Sequence, residues 1–196
     1  MNENPKIHPF FSQYKTHDKN SQVLILGSFP SKNSEKYGFY YGDKKNRFWS
    51  VLGEVLGESK SKEMPINDKI EFLHKNHIAL WDIWAKCYKT KSSNADSSID
   101  CNKSVKANLN DILENINIKK IFTTIGGSTK SKNPRGGYFK QWCIEKWLWE
   151  DYAKYFPHCK KEDEMVCPLY STSGANWRTP RERLIDDYSQ ILEYIK

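Results

Sequence analysis

Residues 27–49, GSFPSKNSEKYGFYYGDKKNRFW, hold more chemistry-bearing side chains than a plain connection requires. Gly27 directly follows an apolar run, where a missing Cβ lets the backbone approach a ligand closely. Tyr40 and Tyr41 supply flat aromatic surface, and Asn46 offers both a donor and an acceptor. The same residues equally suit a structured loop, with Asn46 as a helix cap and Tyr41 as packing. A second segment, Tyr170-Ser171-Thr172-Ser173-Gly174-Ala175-Asn176-Trp177-Arg178, is dense in hydroxyls. It runs into Arg178, Arg181 and Arg183, three of the five arginines. Hydroxyls, backbone amides and Arg at a helix start are groups that bind phosphate. An exposed Trp177 is shaped to wedge into a stack of bases. Folded back on the core, the same side chain would be packing.

These segments need elements to hold them. Four short apolar runs, at residues 22–26, 78–81, 120–125 and 165–169, read as buried strands. Between them, Phe48, Trp49, Leu52, Val55 and Leu56 recur at helical spacing and stop at Gly57. Asn67 is placed to cap a helix carrying Ile70 and Leu73, and Val105, Leu109, Ile112, Leu113 and Ile116 predict another over 105–116. Residues 87–100 are polar and Ser-rich and read as a loop, while 138–156 form an aromatic helix. Thr179-Pro180-Arg181-Glu182 has the T-x-x-E capping-box pattern and opens a closing helix with Leu184, Ile185, Tyr188 and Ile191 inward.

Strands alternating with helices argue for an α/β fold with a mainly parallel sheet covered on both faces. Ligands in such folds sit outside the carboxyl ends of the strands. Function is therefore expected at residues 27–31, at Asp82 and beyond, at 126–128 and at 170–177.

The 196 residues carry 31 Lys and Arg against 24 Asp and Glu, a net charge of +7. A basic balance favours encounters with polyanions without demanding them; 26 of the 31 are Lys, which reads mostly as a solubilising surface. No run of about 18 apolar residues is present, so no membrane-spanning helix is expected. The N-terminus has no apolar secretory region, and the expected compartment is the cytoplasm. Cys87, Cys101, Cys143, Cys159 and Cys167 are odd in number and lack C-x-x-C spacing. They read as buried free thiols, with no metal site and no disulfide framework.

Gly27-Ser28-Phe29-Pro30-Ser31, then Tyr40-Tyr41-Gly42 with Asn46-Arg47-Phe48-Trp49, then Leu80-Trp81-Asp82, then Ser171-Thr172-Ser173 resemble, in order and spacing, the hypoxanthine-DNA glycosylase (DNA-deoxyinosine glycosylase) family of the uracil-DNA glycosylase superfamily. The likeness runs from about His8-Pro9-Phe10 to the last helix. It implies one domain over residues 1–196, a three-layer α/β/α sandwich around a central four-stranded, mainly parallel sheet. It also implies release of a deaminated base, hypoxanthine ahead of uracil or xanthine, by hydrolysis of the N-glycosidic bond after base flipping. The resemblance assigns Asn46 and Ser28 to catalysis, Asn46 positioning water near the sugar carbon. Phe29 stands where the wider superfamily often has Asp or Asn, and it joins Tyr41 and Asp82 in the base pocket. Tyr41 would stack on the base and Asp82 read its edge. Ser31, Ser171, Ser173, Asn176, Trp177 and Arg178 would hold the DNA, with Asn176-Trp177 as the wedge. No cofactor, no metal and no obligate protein partner are implied, and a monomer is expected.

Three positions depart from the family pattern: Asp43-Lys44 replaces His-Pro, Thr124-Ile125-Gly126 replaces F-N-G, and Leu169-Tyr170-Ser171-Thr172-Ser173-Gly174 lacks two prolines. The last departure predicts a less rigid loop. An alternative reading follows, a catalytically weak or inactive DNA-binding module on the same fold. An iron–sulfur relative would need four Cys ligands, and the cysteine spacing here does not resemble such relatives.

Overall fold

The computed structural model describes residues 4–58, 61–89, 98–125 and 141–195. At its centre is β2 (Val23–Gly27), flanked by β3 (Ile78–Asp82) and β6 (Lys120–Thr123), with β7 (Val166–Pro168) outside β6. All three pairings are parallel, with Gly27 opposite Asp82 and Leu26 opposite Thr123. The strands are legible as continuous apolar runs because both faces of the sheet are covered. Side chains alternate between the faces. Leu24 and Leu26 enter one core with Ile121 and Ala79, while Val23 and Ile25 enter the other with Ile78, Leu80 and Phe122.

The first core is closed by α4 (Asn110–Leu113), α5 (Gln141–Tyr152) and the single turn α6 (Glu162–Met165), through Ile112, Leu113, Leu148, Tyr152 and Met165. The second is closed by α2 (Phe48–Val55), α3 (Ile66–Lys75) and α7 (Arg181–Tyr188), through Phe48, Leu52, Leu73, Leu184 and Tyr188. Two helical layers around one parallel sheet make the α/β/α sandwich that the resemblance implies, with the sheet covered on both faces as the periodicity predicts. Because the sheet is parallel, Gly27, Asp82, Thr124 and Leu169 all emerge at the same edge.

Several expectations are corrected. The helix over 105–116 is not continuous: Val105–Lys106 is a short strand, β5, and only Asn110–Leu113 is helical. Val105 is 49 % exposed, so it never belonged to the apolar stripe its spacing suggested. The segment read as a loop from residue 87 begins inside β4 (Trp84–Cys87), which joins β1 (Lys6–Ile7) and β5 in a small antiparallel sheet. Asn67 does not cap α3, which starts at Ile66 behind Pro65.

The capping box also fails to form. Thr179 donates its hydroxyl to Asn176 Oδ1, 3.0 Å away, and its carbonyl accepts from Arg47. With both groups engaged elsewhere, α7 begins one residue later, at Arg181 behind Pro180. Cys87, Cys101, Cys159 and Cys167 enter no disulfide among the described residues; Cys87 is buried, Cys159 and Cys167 are partly so, and Cys101 is exposed rather than buried. Burial pushes the Cys167 thiol up to about 11, which keeps it protonated and unreactive. Among the described residues no helix is long and apolar enough to cross a membrane. The expected site segment 126–128 lies outside the described residues.

Candidate functional site

The parallel register places Gly27 and Asp82 side by side at the carboxyl edge of the sheet. A Cβ on Gly27 would overlap Asp82 Oδ1 and stand 2.8 Å from the Tyr41 hydroxyl. Glycine is thus what lets a carboxylate and a phenol converge on one backbone position. Tyr41 is set firmly. Its ring stacks on Phe48 at 3.9 Å and 13°, and its hydroxyl shares a 2.8 Å hydrogen bond with Thr124 Oγ1. Its φ is +52°, a left-handed conformation that costs a non-glycine residue about 1 kcal/mol or more. One ring face goes to Phe48, so the packing reading of Tyr41 is met on that side.

Asp82 is buried, and its Oδ2 lies 2.9 Å from Nε2 of His8, equally buried. The second ring nitrogen of His8 accepts from the backbone N–H of Phe10 at 3.2 Å. An accepting Nδ1 places the proton on Nε2, so His8 donates to Asp82. The imidazole is sandwiched in place: Phe11 stacks on it at 3.6 Å and Phe29 meets it edge-on at 5.5 Å. The strand β1 pairs with β4, and the pairing continues through His8 N–H to the Ala85 carbonyl, which carries the ring to Asp82. His8 is the residue that sequence reasoning missed. Its only signal was a lone His-Pro-Phe in a polar N-terminal stretch, with no periodicity to expose its role. Behind it, burial and then the Asp82 charge push the Tyr40 hydroxyl well above the usual phenol range.

Asn46 anchors the other side. Its Oδ1 accepts from the Phe48 N–H and from the Thr172 hydroxyl, both at 2.9 Å. Both lone pairs are thereby used: the side chain closes the turn that enters α2, whose N-cap position is Arg47, and ties the 171–179 loop to it. Asn46 therefore shapes the entry to α2 from one residue outside the cap position, and only Nδ2 is left to act on water. Arg47, next in sequence, grips the same loop. Its backbone N–H donates to the Thr172 carbonyl, and its guanidinium donates to the Thr179 and Asn176 carbonyls at 2.7 and 2.8 Å. Gly174 packs against Lys45 so closely that a Cβ there would stand 2.9 Å from Lys45 Cβ. Arg47 and Lys45 thus hold the loop against the entry to α2 from two sides.

The remaining candidates divide into two groups. Ser28 is half-buried, and its carbonyl accepts from Trp84 N–H. Phe29 is only 8 % exposed and sits in the core beneath His8. Ser31 caps the short helix α1 (Lys32–Tyr37) by accepting from Ser34 N–H. On the loop, Ser171 and Ser173 accept from the N–H groups of Ser173 and Ala175, and Asn176 donates Nδ2 to the Ser171 carbonyl. These bonds shape the loop around its tip. Trp177 is 71 % exposed, with the Arg178 guanidinium 5.3 Å over its ring. The structure thus resolves the two readings of Trp177 in favour of a projecting side chain beside a cation. Arg183 lies 5.0 Å over the ring of Tyr170, just before the loop.

A model of the uracil DNA glycosylase superfamily matches residues 14–196 of the chain. A hypoxanthine DNA glycosylase of Methanosarcina acetivorans is 40% identical over 67 residues, covering 34% of this chain and 42% of that relative. The hypoxanthine DNA glycosylase of Methanosarcina barkeri is 39% identical over a stretch of the same length and coverage. The match therefore spans less than half the length of these curated relatives. A solution NMR structure from Methanosarcina acetivorans, described as a candidate uracil DNA glycosylase, superimposes with a TM-score of 0.59 at 22% identity. That likeness covers 90% of this chain and 94% of the other, and it speaks to the fold.

Proposed function

The chain belongs to the uracil DNA glycosylase superfamily, and from that premise we propose that it is a monofunctional DNA glycosylase of base excision repair. Its substrate is DNA carrying a deaminated base, hypoxanthine ahead of uracil and xanthine. The observation that carries this reading is the convergence of Tyr41 and Asp82 on Gly27, beside a braced loop that projects Trp177. The curated relatives, hypoxanthine DNA glycosylases by name, support the choice of base.

The chemistry follows from these groups. The target nucleotide is flipped out of the duplex, and Trp177 occupies the vacated stack while Arg178 meets phosphate. The base lies against Tyr41 with its edge toward Asp82. The bond between the sugar carbon and the base nitrogen breaks, its electron pair leaves with the base, and a water oxygen bonds to the carbon and loses a proton, which the released base takes up. The sugar passes through an oxocarbenium-like state, so fixed dipoles and DNA phosphates supply most of the stabilisation. Water then needs placing more than activating, a task within reach of Asn46 Nδ2.

The test is base excision on oligonucleotides bearing one deoxyinosine, deoxyuridine or deoxyxanthosine, with alkaline cleavage reporting abasic sites. Cleavage strongest at deoxyinosine is expected. Asn46→Ala is expected to lose about 1 kcal/mol of stability with its Phe48 and Thr172 hydrogen bonds and most of its excision; full excision by this variant removes the role given to Asn46. A second reading, a DNA-binding module that releases no base, is favoured by one observation: Asn46 Oδ1 is saturated by Phe48 and Thr172. Salt-sensitive DNA binding without any abasic product would decide for it.

Trp177→Ala should leave urea unfolding within about 0.5 kcal/mol of the parent protein, because the side chain packs against little. Affinity for inosine-containing DNA should fall about tenfold, the scale of one lost aromatic–base stack. Unchanged affinity would show that Trp177 is not the wedge.

A further inference from the structure

We infer that His8 is a positioning residue that fixes Asp82 as a hydrogen-bond acceptor, and that this makes the pocket select bases with a ring N–H facing it. The inference rests on the glycosylase reading above and deepens it. Deamination of adenine turns the N1 lone pair of the ring into an N1–H donor, and deamination of cytosine does the same at N3. An acceptor aimed at that nitrogen attracts the deaminated base and repels its parent. A carboxyl group presenting a proton would pair with the parent instead. Selection thus depends on which hydrogen-bonding face Asp82 shows.

The structure supplies a device that sets this face. Phe10 N–H occupies Nδ1 of His8, leaving Nε2–H as the one ring N–H, 2.9 Å from Asp82 Oδ2. The opposite tautomer would set Nδ1–H against the N–H of Phe10, and a flip of the ring would put carbon at both positions and forfeit both hydrogen bonds. The continued β1–β4 pairing holds the backbone of His8 as well. Oδ1 of Asp82, lying over Gly27, forms no other hydrogen bond among the described residues and is the acceptor left for a base. Charge-assisted acceptance of this kind is strong and directional. His8 acts on the base only through Asp82.

Three proteins test this: the parent, His8→Phe, which keeps the ring stack but loses the donor, and His8→Gln, which keeps an amide donor at the Nε2 position. Each is titrated with duplexes carrying uncleavable 2′-fluoroarabino analogues of deoxyinosine and deoxyadenosine. The parent is expected to prefer the inosine analogue by about tenfold or more, the scale of one charged hydrogen bond. His8→Phe should bring the two affinities together, and His8→Gln should restore the preference. A folded His8→Phe protein with the parent's preference overturns the inference while deoxyinosine excision by the parent leaves the glycosylase reading standing. A parent protein that neither releases nor prefers the deaminated base overturns that reading and the inference with it. Should His8→Phe fail to fold, the ring nitrogen NMR shifts of His8 in the parent decide: a protonated Nε2 and bare Nδ1 are expected, and the opposite tautomer refutes the proposal.

Discussion

Gly27→Ala is expected to reduce deoxyinosine excision about a hundredfold while the protein still folds. The backbone of Gly27 lies outside the left-handed region, which among the described glycines only Gly38 and Gly57 occupy. Alanine therefore meets no conformational penalty there, and the whole effect comes from the one added carbon. That carbon would overlap Asp82 Oδ1 and press on the Tyr41 hydroxyl. Neither group can yield cheaply. Asp82 is held by His8, and Tyr41 by Thr124 and by its stack on Phe48. A displacement of about 1 Å in a positioning group costs roughly a hundredfold in rate. Overpacking should cost about 1–3 kcal/mol of stability, which urea unfolding measures alongside single-turnover excision. Parent-like excision would mean that base release does not take place over Gly27.

Arg47→Ala should produce the second large effect, on stability and DNA binding together. Its guanidinium joins two carbonyls from the far end of the chain, those of Asn176 and Thr179, across the base of the loop that projects Trp177. Loss of these charged hydrogen bonds, half-buried and so partly screened, should cost about 2 kcal/mol. The freed loop should bind inosine-containing duplex more than about tenfold less tightly, by losing the preset geometry of its Trp177 stack. Arg47→Lys should fall between the two, because an ammonium cannot present the planar fork to two acceptors at once. Urea unfolding and fluorescence titration at fixed salt separate the two effects. An Arg47→Ala protein with parent-like affinity would show that the loop holds its shape without the brace.

Both variants act where distant parts of the chain meet, and here the sequence and the folded molecule part company. The runs at 23–26 and 78–81 are readable because a strand covered on both faces must be apolar along its buried length. The order of strands and helices, the carboxyl edge as the place for function, and the glycosylase resemblance follow from local composition and short motifs. The antiparallel sheet of β1, β4 and β5 was not readable. Its strands are two to four residues long, and Val105 borrowed a helical spacing from residues it does not pack with.

Within the site, residue types were readable and their assignments were not. Asn46 was visible as both cap and catalyst, and only the arrival of Thr172 shows its carbonyl saturated. Trp177 was equally a wedge or a core residue until the loop turned it outward. His8 carried no periodic signal, because its partner is 74 positions away and the link runs through a strand too short to announce itself. Arg47 likewise reaches carbonyls 129 and 132 positions distant. Periodicity records which face of an element is buried, a property of neighbours in sequence. Donor–acceptor pairing across the sheet edge depends on where separate elements come to rest, and that only the packed structure decides.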